Sequence, residues 1–191
     1  MIVVIDTSSL LSLVRYYLPF DNQNILYNFI KTKVKSKEII ILDKVYEESK
    51  FQSKSIIVDK LDFIGDKKNH YKTVEILPTK KFFNQLENQF INGSIKNKLS
   101  EVEFENRKND FLETADCKLI LFSISNQNIM DELFIVTEET EISNDNKSFK
   151  KIPAICKMLD LKCITLPELI EKYSDLNIEF KLKQHTTGVP M

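Results

Sequence analysis

Short, unbroken apolar runs recur along the chain and alternate with stretches of helical spacing. The first runs, residues 2–5 and 39–42, are rich in β-branched side chains and too short to be buried helices. Such runs are typical of strands buried on both faces of a parallel sheet. We expect three further strands within residues 73–78, 132–140 and 162–167.

Apolar residues spaced three and four positions apart predict helices between these strands. The expected helices run from Ser8 to Tyr17, from Asp21 onward, from a cap at Asp43, through 114–126, and from first turns containing Pro153 and Pro167. Strands that alternate with helices predict an α/β fold around a parallel sheet.

The length of 191 residues fits one domain of ordinary size. We assign this domain to residues 1–173. Within this domain, we expect residues 79–110 to form a helical insertion of two helices, with the break between them at Asn92-Gly93. Residues 174–191 are expected to form a C-terminal tail.

Composition narrows the classes of protein. With 42% apolar and 29% charged residues, the chain is typical of a globular protein. No apolar run approaches the roughly 18 residues of a membrane span, and no secretory signal is recognisable, so we expect a cytoplasmic protein without a membrane partner. Cys117, Cys156 and Cys163 lack paired spacing and are expected to be buried and reduced.

The net charge of −1 gives no global basic field of the kind that marks many nucleic-acid-binding proteins. A cluster of carboxylates that holds cations would, however, offset basic residues elsewhere in this sum.

Acidic residues follow two of the predicted strands. Asp6 comes directly after the first strand, and Glu138 and Glu139 come after the fourth. The carboxyl ends of parallel strands are where open α/β sheets bind ligands. Each position also has a structural explanation, because Asp6 is a good helix cap and an acidic loop is commonly only solvated.

Two more acidic residues lie in early helical turns. If Asp43 is the cap, Glu47 takes the fourth helical position, where an apolar partner for Leu42 would be expected. The alternative for Glu47 is an ordinary exposed side chain beside Glu48. Asp116 heads the most apolar helix, and its alternative role is a helix-dipole interaction of about 0.3–1 kcal/mol.

The four acidic positions converge on one rim of the predicted sheet. Carboxylates that lie close together repel one another and raise each other's pKa unless a hard cation neutralises them. Mg²⁺ or Mn²⁺ is suited to this role, and such a metal activates water and stabilises charge on a phosphodiester.

Four segments together resemble the acidic motifs of the PIN-domain family: VVIDTSSLL, LDKVYEES, ETADCKLILFSI and FIVTEE. The later segment KIPAICKMLDLKCITLPELI resembles the end of this fold in the branch related to bacterial toxin ribonucleases. The likeness covers about residues 1–173. It implies a three-layer α/β/α sandwich with a central parallel sheet of about five strands. It also implies a metal-dependent endoribonuclease that hydrolyses RNA phosphodiester bonds with a metal-activated water, leaving a 3′-hydroxyl and a 5′-phosphate.

The resemblance assigns catalytic, metal-ligating roles to four residues, namely Asp6, Glu47, Asp116 and Glu139, with Glu138 as the alternative to Glu139. It implies that Ser8 hydrogen-bonds a ligand or metal-bound water and that Asn144 or Asp145 supplies a further polar group. The chain has Glu where the family commonly has Asp after the fourth strand, which leaves the number of metals open.

The same resemblance implies an RNA substrate, a cognate antitoxin protein and a homodimer. Lysines within residues 31–37 or 147–151 are candidates for holding the RNA backbone, and binding would then weaken steeply with salt.

Three other functions are alternatives to a nuclease. A PIN-like module would bind RNA or protein without cutting. An aspartate-nucleophile phosphatase usually carries a second Asp two residues after the first, where this chain has Ser8. A Rossmann nucleotide-binding protein is disfavoured because the three glycines form no GxGxxG loop.

Overall fold

The computed structural model of the chain describes residues 1–21, 23–127, 132–141, 147–173 and 176. Its central sheet has five parallel strands in the spatial order β3-β2-β1-β4-β5. The strands are β1 (Ile2–Ile5), β2 (Ile39–Leu42), β3 (His70–Tyr71), β4 (Leu133–Val136) and β5 (Cys163–Ile164).

Helices cover both faces of this sheet. They are α1 (Thr7–Ser12), α2 (Ile25–Lys35), α3 (Asp43–Ser49), α4 (Ile56–Lys60), α5 (Lys80–Gln85), α6 (Gly93–Lys96), α7 (Glu101–Leu112), α8 (Ala115–Asn126), α9 (Ile152–Leu159) and α10 (Leu166–Lys172). π-helical turns at Leu13–Tyr17 and Leu86–Phe90 extend α1 and α5, and 3₁₀ segments lie at Leu18–Phe20, Gln52–Ser55, Asp62–Gly65 and Lys67–Asn69. The predicted α/β/α sandwich with a five-stranded parallel sheet is confirmed. Within the described residues, no helix is long and apolar enough to cross a membrane.

The central strands form where the unbroken apolar runs predict them. Every residue of β2 and β4 is buried, because helices cover both faces of the sheet. The strands β4 and β5 are shorter than the predicted ranges 132–140 and 162–167, since the polar residues that follow them turn into the crevice described below.

The prediction of a third strand at 73–78 is wrong, because β3 is His70–Tyr71. The Asp43 carboxylate accepts hydrogen bonds from the Thr73 hydroxyl at 2.6 Å and from its backbone N–H at 3.2 Å, which fixes the chain in a turn after β3. Val74 and Leu77 are then 76% and 75% exposed. Their apolar spacing therefore reflects no burial in the sheet.

Two helices begin at residues other than those predicted. The second starts at Ile25, and the Asp21 carboxylate lies before it, accepting from the N–H groups of Ile25 (2.8 Å) and Tyr27 (2.9 Å). The third has Leu42 at its N-cap and Asp43 as its first residue.

The helical insertion at 79–110 breaks at Asn92-Gly93 as expected, and it breaks again before Ser100. Ser100 and Glu103 form a capping box that starts α7. The buried ammonium of Lys108 fixes α7 to the preceding turn, with Nζ 2.8 Å from Glu87 and 2.7 Å from Glu105.

The strand order places a topological switch point between β1 and β4. From β1 the chain builds outward to β2 and β3, then returns to the other side of β1 to form β4 and β5. Helices that follow successive strands on opposite sides leave a crevice at the carboxyl ends of the two strands at such a point. Ile5 pairs with Val136 at this edge, so Asp6 and Thr137 are the first residues beyond it.

Candidate active site

Asp6 lies at the centre of the crevice and is only 3% exposed. Its Oδ1 accepts a hydrogen bond from the Thr7 N–H at 2.7 Å, so it caps α1. Its Oδ2 accepts from two hydroxyls, Ser8 Oγ at 2.5 Å and Thr137 Oγ1 at 2.9 Å. The capping role and a position in the crevice therefore coexist in one side chain.

The two glutamates after β4 point in different directions. Glu139 Oε2 accepts from the Ile152 N–H at 3.1 Å, at the start of α9. Glu138 Oε1 accepts from the Leu166 N–H at 2.6 Å, at the start of α10. The negative charge of Glu139 raises the pKa of Asp116. The geometry thus favours Glu139 over Glu138 as the acidic residue of the crevice.

Helix α3 presents Glu48 to the crevice, and Glu47 points away from it. Glu48 Oε2 accepts a hydrogen bond from Thr7 Oγ1 at 2.7 Å. Burial raises the pKa of Glu48, and the charges of Asp6 and Glu139 raise it further. Glu47 is 55% exposed and pairs with Lys44 at 3.6 Å. The place that the sequence predicts for Glu47 is therefore occupied by Glu48.

This difference follows from the buried face of α3. Val45 and Ser49 are the buried residues of the helix. Glu48 lies three positions after Val45 and shares that face, whereas Glu47 lies on the opposite side. With Leu42 at the N-cap, the fourth helical position is Tyr46, so the position of the cap identifies neither glutamate. The apolar Val45 is the signal in the sequence that identifies Glu48.

Asp116 reaches the same edge from the other side of the sheet. It lies in the first turn of α8, and its carboxylate interacts electrostatically with Asp6, Glu48 and Glu139. Burial raises the pKa of Asp116 to about 7, and the charges of Asp6, Glu139 and Glu48 add to the effect. Four carboxylates thus act on one another electrostatically, although their residues are distant in sequence.

Lys147 supplies a positive charge at this site. Its Nζ lies 3.7 Å from Glu139 Oε1, and its charge acts to lower the pKa of both Asp116 and Glu48. This one lysine faces the four carboxylates of Asp6, Glu48, Asp116 and Glu139.

Hydroxyl groups hold the carboxylates in place. Ser8 Oγ lies 3.1 Å from Thr137 Oγ1 and accepts from the Glu138 N–H at 3.0 Å, so it joins the ends of β1 and β4. The sequence analysis predicts a hydrogen-bonding role at the site for Ser8 but none for Thr7 or Thr137. Their position directly beside Asp6 and Glu138 was the available signal. Asn144 and Asp145 lie outside the described residues.

The donor set suits a hard divalent cation, because all four side chains offer carboxylate oxygens. Within the part of the chain that the structure describes, no group of three or more His, Cys, Asp or Glu side chains is close enough to hold a metal ion as it stands. Unscreened carboxylates repel one another, so binding a cation would require side chains to close around it.

The two candidate groups of lysines lie at opposite edges of the sheet. Lysines 31–37 belong to the end of α2 and the turn before β2, at the amino ends of the strands. Lys31 and Lys33 are paired there with Asp62 and Glu38. The segment 147–151 lies at the crevice, as the contact of Lys147 with Glu139 shows.

The fold and the crevice together define an α/β/α sandwich with a carboxylate-lined cleft at the switch point of its sheet. The chain belongs to the family described as domain of unknown function DUF4411, whose model matches residues 3–175. That match includes all four carboxylates and the helical insertion. No curated protein and no solved structure matches the chain.

Proposed function

We propose that this protein is a metal-dependent endoribonuclease that hydrolyses phosphodiester bonds in RNA. The observation that carries the proposal is the convergence of Asp6, Glu48, Asp116 and Glu139 at the switch point of the sheet. Burial, together with repulsion from the other three carboxylates, raises the pKa of Asp116 to about 7. Perturbed carboxylates in a cleft are typical of functional sites. The resemblance to the acidic motifs of PIN domains suggests the reaction.

Asp6, Glu48, Asp116 and Glu139 would hold Mg²⁺ or Mn²⁺. When bound, the metal would lower the pKa of a water molecule and stabilise charge on the phosphodiester. The proposal differs from the sequence prediction only in taking Glu48 in place of Glu47.

Other residues of the chain orient these ligands. Ser8 and Thr137 donate to Asp6 Oδ2 and keep its second oxygen fixed on the Thr7 N–H. The Thr7 hydroxyl holds Glu48. Hydrogen bonds to the outer oxygens of ligating carboxylates fix their orientation and are expected to strengthen metal binding.

A direct test uses purified protein and end-labelled RNA, both single-stranded and stem-loop. We expect cleavage with Mn²⁺ or Mg²⁺, no cleavage in EDTA, and products with a 5′-phosphate. Asp6→Asn should lower the rate by roughly 10²–10³-fold, because it removes a preorganised charge next to the reacting phosphate.

The control for that test is circular dichroism of each variant, since Asp6 also caps α1. A folded wild-type protein that cleaves none of these RNAs with either metal would contradict the proposal. Retained RNA or protein binding in that case would support the alternative of a PIN-like module without nuclease activity.

We also propose that the nuclease is the toxin of a bacterial toxin–antitoxin pair, on the basis of the resemblance of residues 151–170 to that branch of the PIN-domain family. Induced expression should arrest growth of a bacterial host, and the protein encoded beside it should restore growth. Asp116→Asn expressed at the same level should be harmless. Growth arrest by that variant would contradict the assignment.

A further inference from the structure

A cavity of about 450 Å³ opens beside the acidic crevice. Helix α7 and the following turn form one wall, and the segment 147–151 forms the other. The lining residues are Arg107, Asp110, Phe111, Thr114, Asp116, Lys147, Ser148, Phe149, Lys150 and Lys151. Asp116 and Lys147 belong to both the cavity and the acidic crevice, so the two spaces are continuous.

The helical insertion builds this cavity. Ile91, at the end of the turn that follows α5, forms an antiparallel bridge with Phe149. The Asn92 N–H donates to the Ser148 carbonyl at 2.8 Å, and the Lys150 N–H donates to the Phe90 carbonyl at 2.8 Å. These bonds fix the backbone of segment 147–151 against the insertion.

The two walls also meet through side chains. Arg107 Nη1 donates to Ser148 Oγ at 2.7 Å. The rings of Phe111 and Phe149 stack with centroids 4.4 Å apart and form a buried apolar floor. The cavity therefore has a fixed shape and does not depend on a loose surface loop.

Its lining is more basic than that of the acidic crevice, although it includes Asp110 and Asp116. The lining carries four basic side chains, those of Arg107, Lys147, Lys150 and Lys151, above an aromatic floor. Basic side chains with aromatic rings are the combination by which proteins hold single-stranded nucleic acids. The volume also lies within the range of about 300–1,000 Å³ that is usual for small-ligand sites.

We propose that this cavity binds the nucleotide adjacent to the cleaved bond of a single-stranded RNA, with Arg107 and Lys151 on its phosphate and its base over the Phe111–Phe149 floor. The inference rests on the proposed function, since it takes the acidic crevice as the place of cleavage. It excludes lysines 31–37 as the main backbone contact, because they lie at the other edge of the sheet. The insertion then acts as the part of the chain that selects the substrate.

The test measures binding without catalysis. A fluorescein-labelled, ten-nucleotide single-stranded RNA is titrated in EDTA, and anisotropy is recorded at several salt concentrations. Arg107→Ala and Lys151→Ala should each weaken binding about 5- to 20-fold. Each should also reduce the salt dependence by about 0.7 in log–log slope, the value for one phosphate contact on a single strand.

Matched variants separate charge from structure. Arg107→Lys keeps the charge and should recover most of the salt slope. Lys35→Ala removes an exposed lysine at the opposite edge and should bind like the wild type. An abasic strand of the same length should bind the wild-type protein at least about fivefold more weakly, because the aromatic floor then has no base to contact.

Several outcomes would overturn the inference: no RNA binding by the wild type, unchanged binding by both alanine variants, or an equal loss with Lys35→Ala. Equal affinity for the abasic strand would overturn the assignment of the floor to a base. A different result would refute the proposed nuclease activity. Binding that depends on Arg107 without any cleavage in Mn²⁺ would leave the cavity assignment standing and would refute the nuclease.

Discussion

Replacing Asp116 with asparagine is expected to raise the melting temperature of the protein in EDTA at pH 8 and to abolish the metal-dependent RNA cleavage that we propose. Both effects follow from the position of Asp116 among Asp6, Glu48 and Glu139. In the absence of a cation, the fourth negative charge destabilises the folded state. In its presence, the same charge would be a ligand.

The pH dependence of the stability effect has a definite sign. The pKa of Asp116 is raised from 3.8 to about 7 in the folded protein, so between these values the folded state holds a proton that the unfolded state has released. The free energy of unfolding contributed by this group therefore falls as pH rises from about 4 to 7, and it is constant above that range. The asparagine variant lacks this loss, so its advantage should be near zero at pH 4 and greatest above pH 7.

The size of the effect can be bounded. A shift of about three pKa units corresponds to at most about 4 kcal/mol. Solvent access to the crevice and the burial of a new amide reduce this figure. At about 2–4 °C per kcal/mol for a chain of this size, half of the maximum would raise the melting temperature by about 4–8 °C.

Thermal unfolding of wild type and Asp116→Asn at pH 5, 6, 7 and 8 in EDTA measures this effect. Adding Mn²⁺ at pH 8 should stabilise the wild type by mass action and leave the variant nearly unchanged. A variant that is less stable than the wild type at pH 8 would refute the electrostatic account. A variant that cleaves RNA within about tenfold of the wild-type rate would exclude Asp116 as a ligand.

The centre of the fold was predictable because its signal is local. Residues 3–5 and 39–42 are buried, and an unbroken apolar run suits strands that are covered on both faces. The edge strand β3 is two residues long and carries no such pattern. The more apolar stretch at 73–78 is a turn held by Asp43, and a hydrogen bond across 30 residues has no signature in the sequence.

Three of the four carboxylates of the crevice were predictable for a related reason. Asp6 and Glu139 follow buried strands, and Asp116 opens the helix that leads back to one, so topology alone brings them to one edge. The fourth depends on the rotation of α3 about its axis. Successive helical residues point about 100° apart, so Glu47 and Glu48 lie on different faces, and the buried Val45, not the position of the cap, decides between them.

Replacing one or the other of these two glutamates with glutamine should therefore affect the rate of RNA cleavage very differently. Glu48→Gln should lower the rate of cleavage at limiting Mn²⁺ by about 100-fold, because a ligand loses its charge while its oxygen can still accept from Thr7. Glu47→Gln should remain within about twofold of the wild type, since it removes only an exposed ion pair with Lys44.

The comparison is internally controlled, because both variants make the same chemical change one residue apart on one helix. Initial rates over a range of Mn²⁺ concentrations measure it, and raising the concentration should partly restore Glu48→Gln. The Mn²⁺-induced rise in melting temperature gives a second measurement that needs no RNA. Loss of both responses in Glu47→Gln, with Glu48→Gln unaffected, would mean that α3 rotates on binding the cation and that the motif, not the metal-free geometry, identifies the ligand.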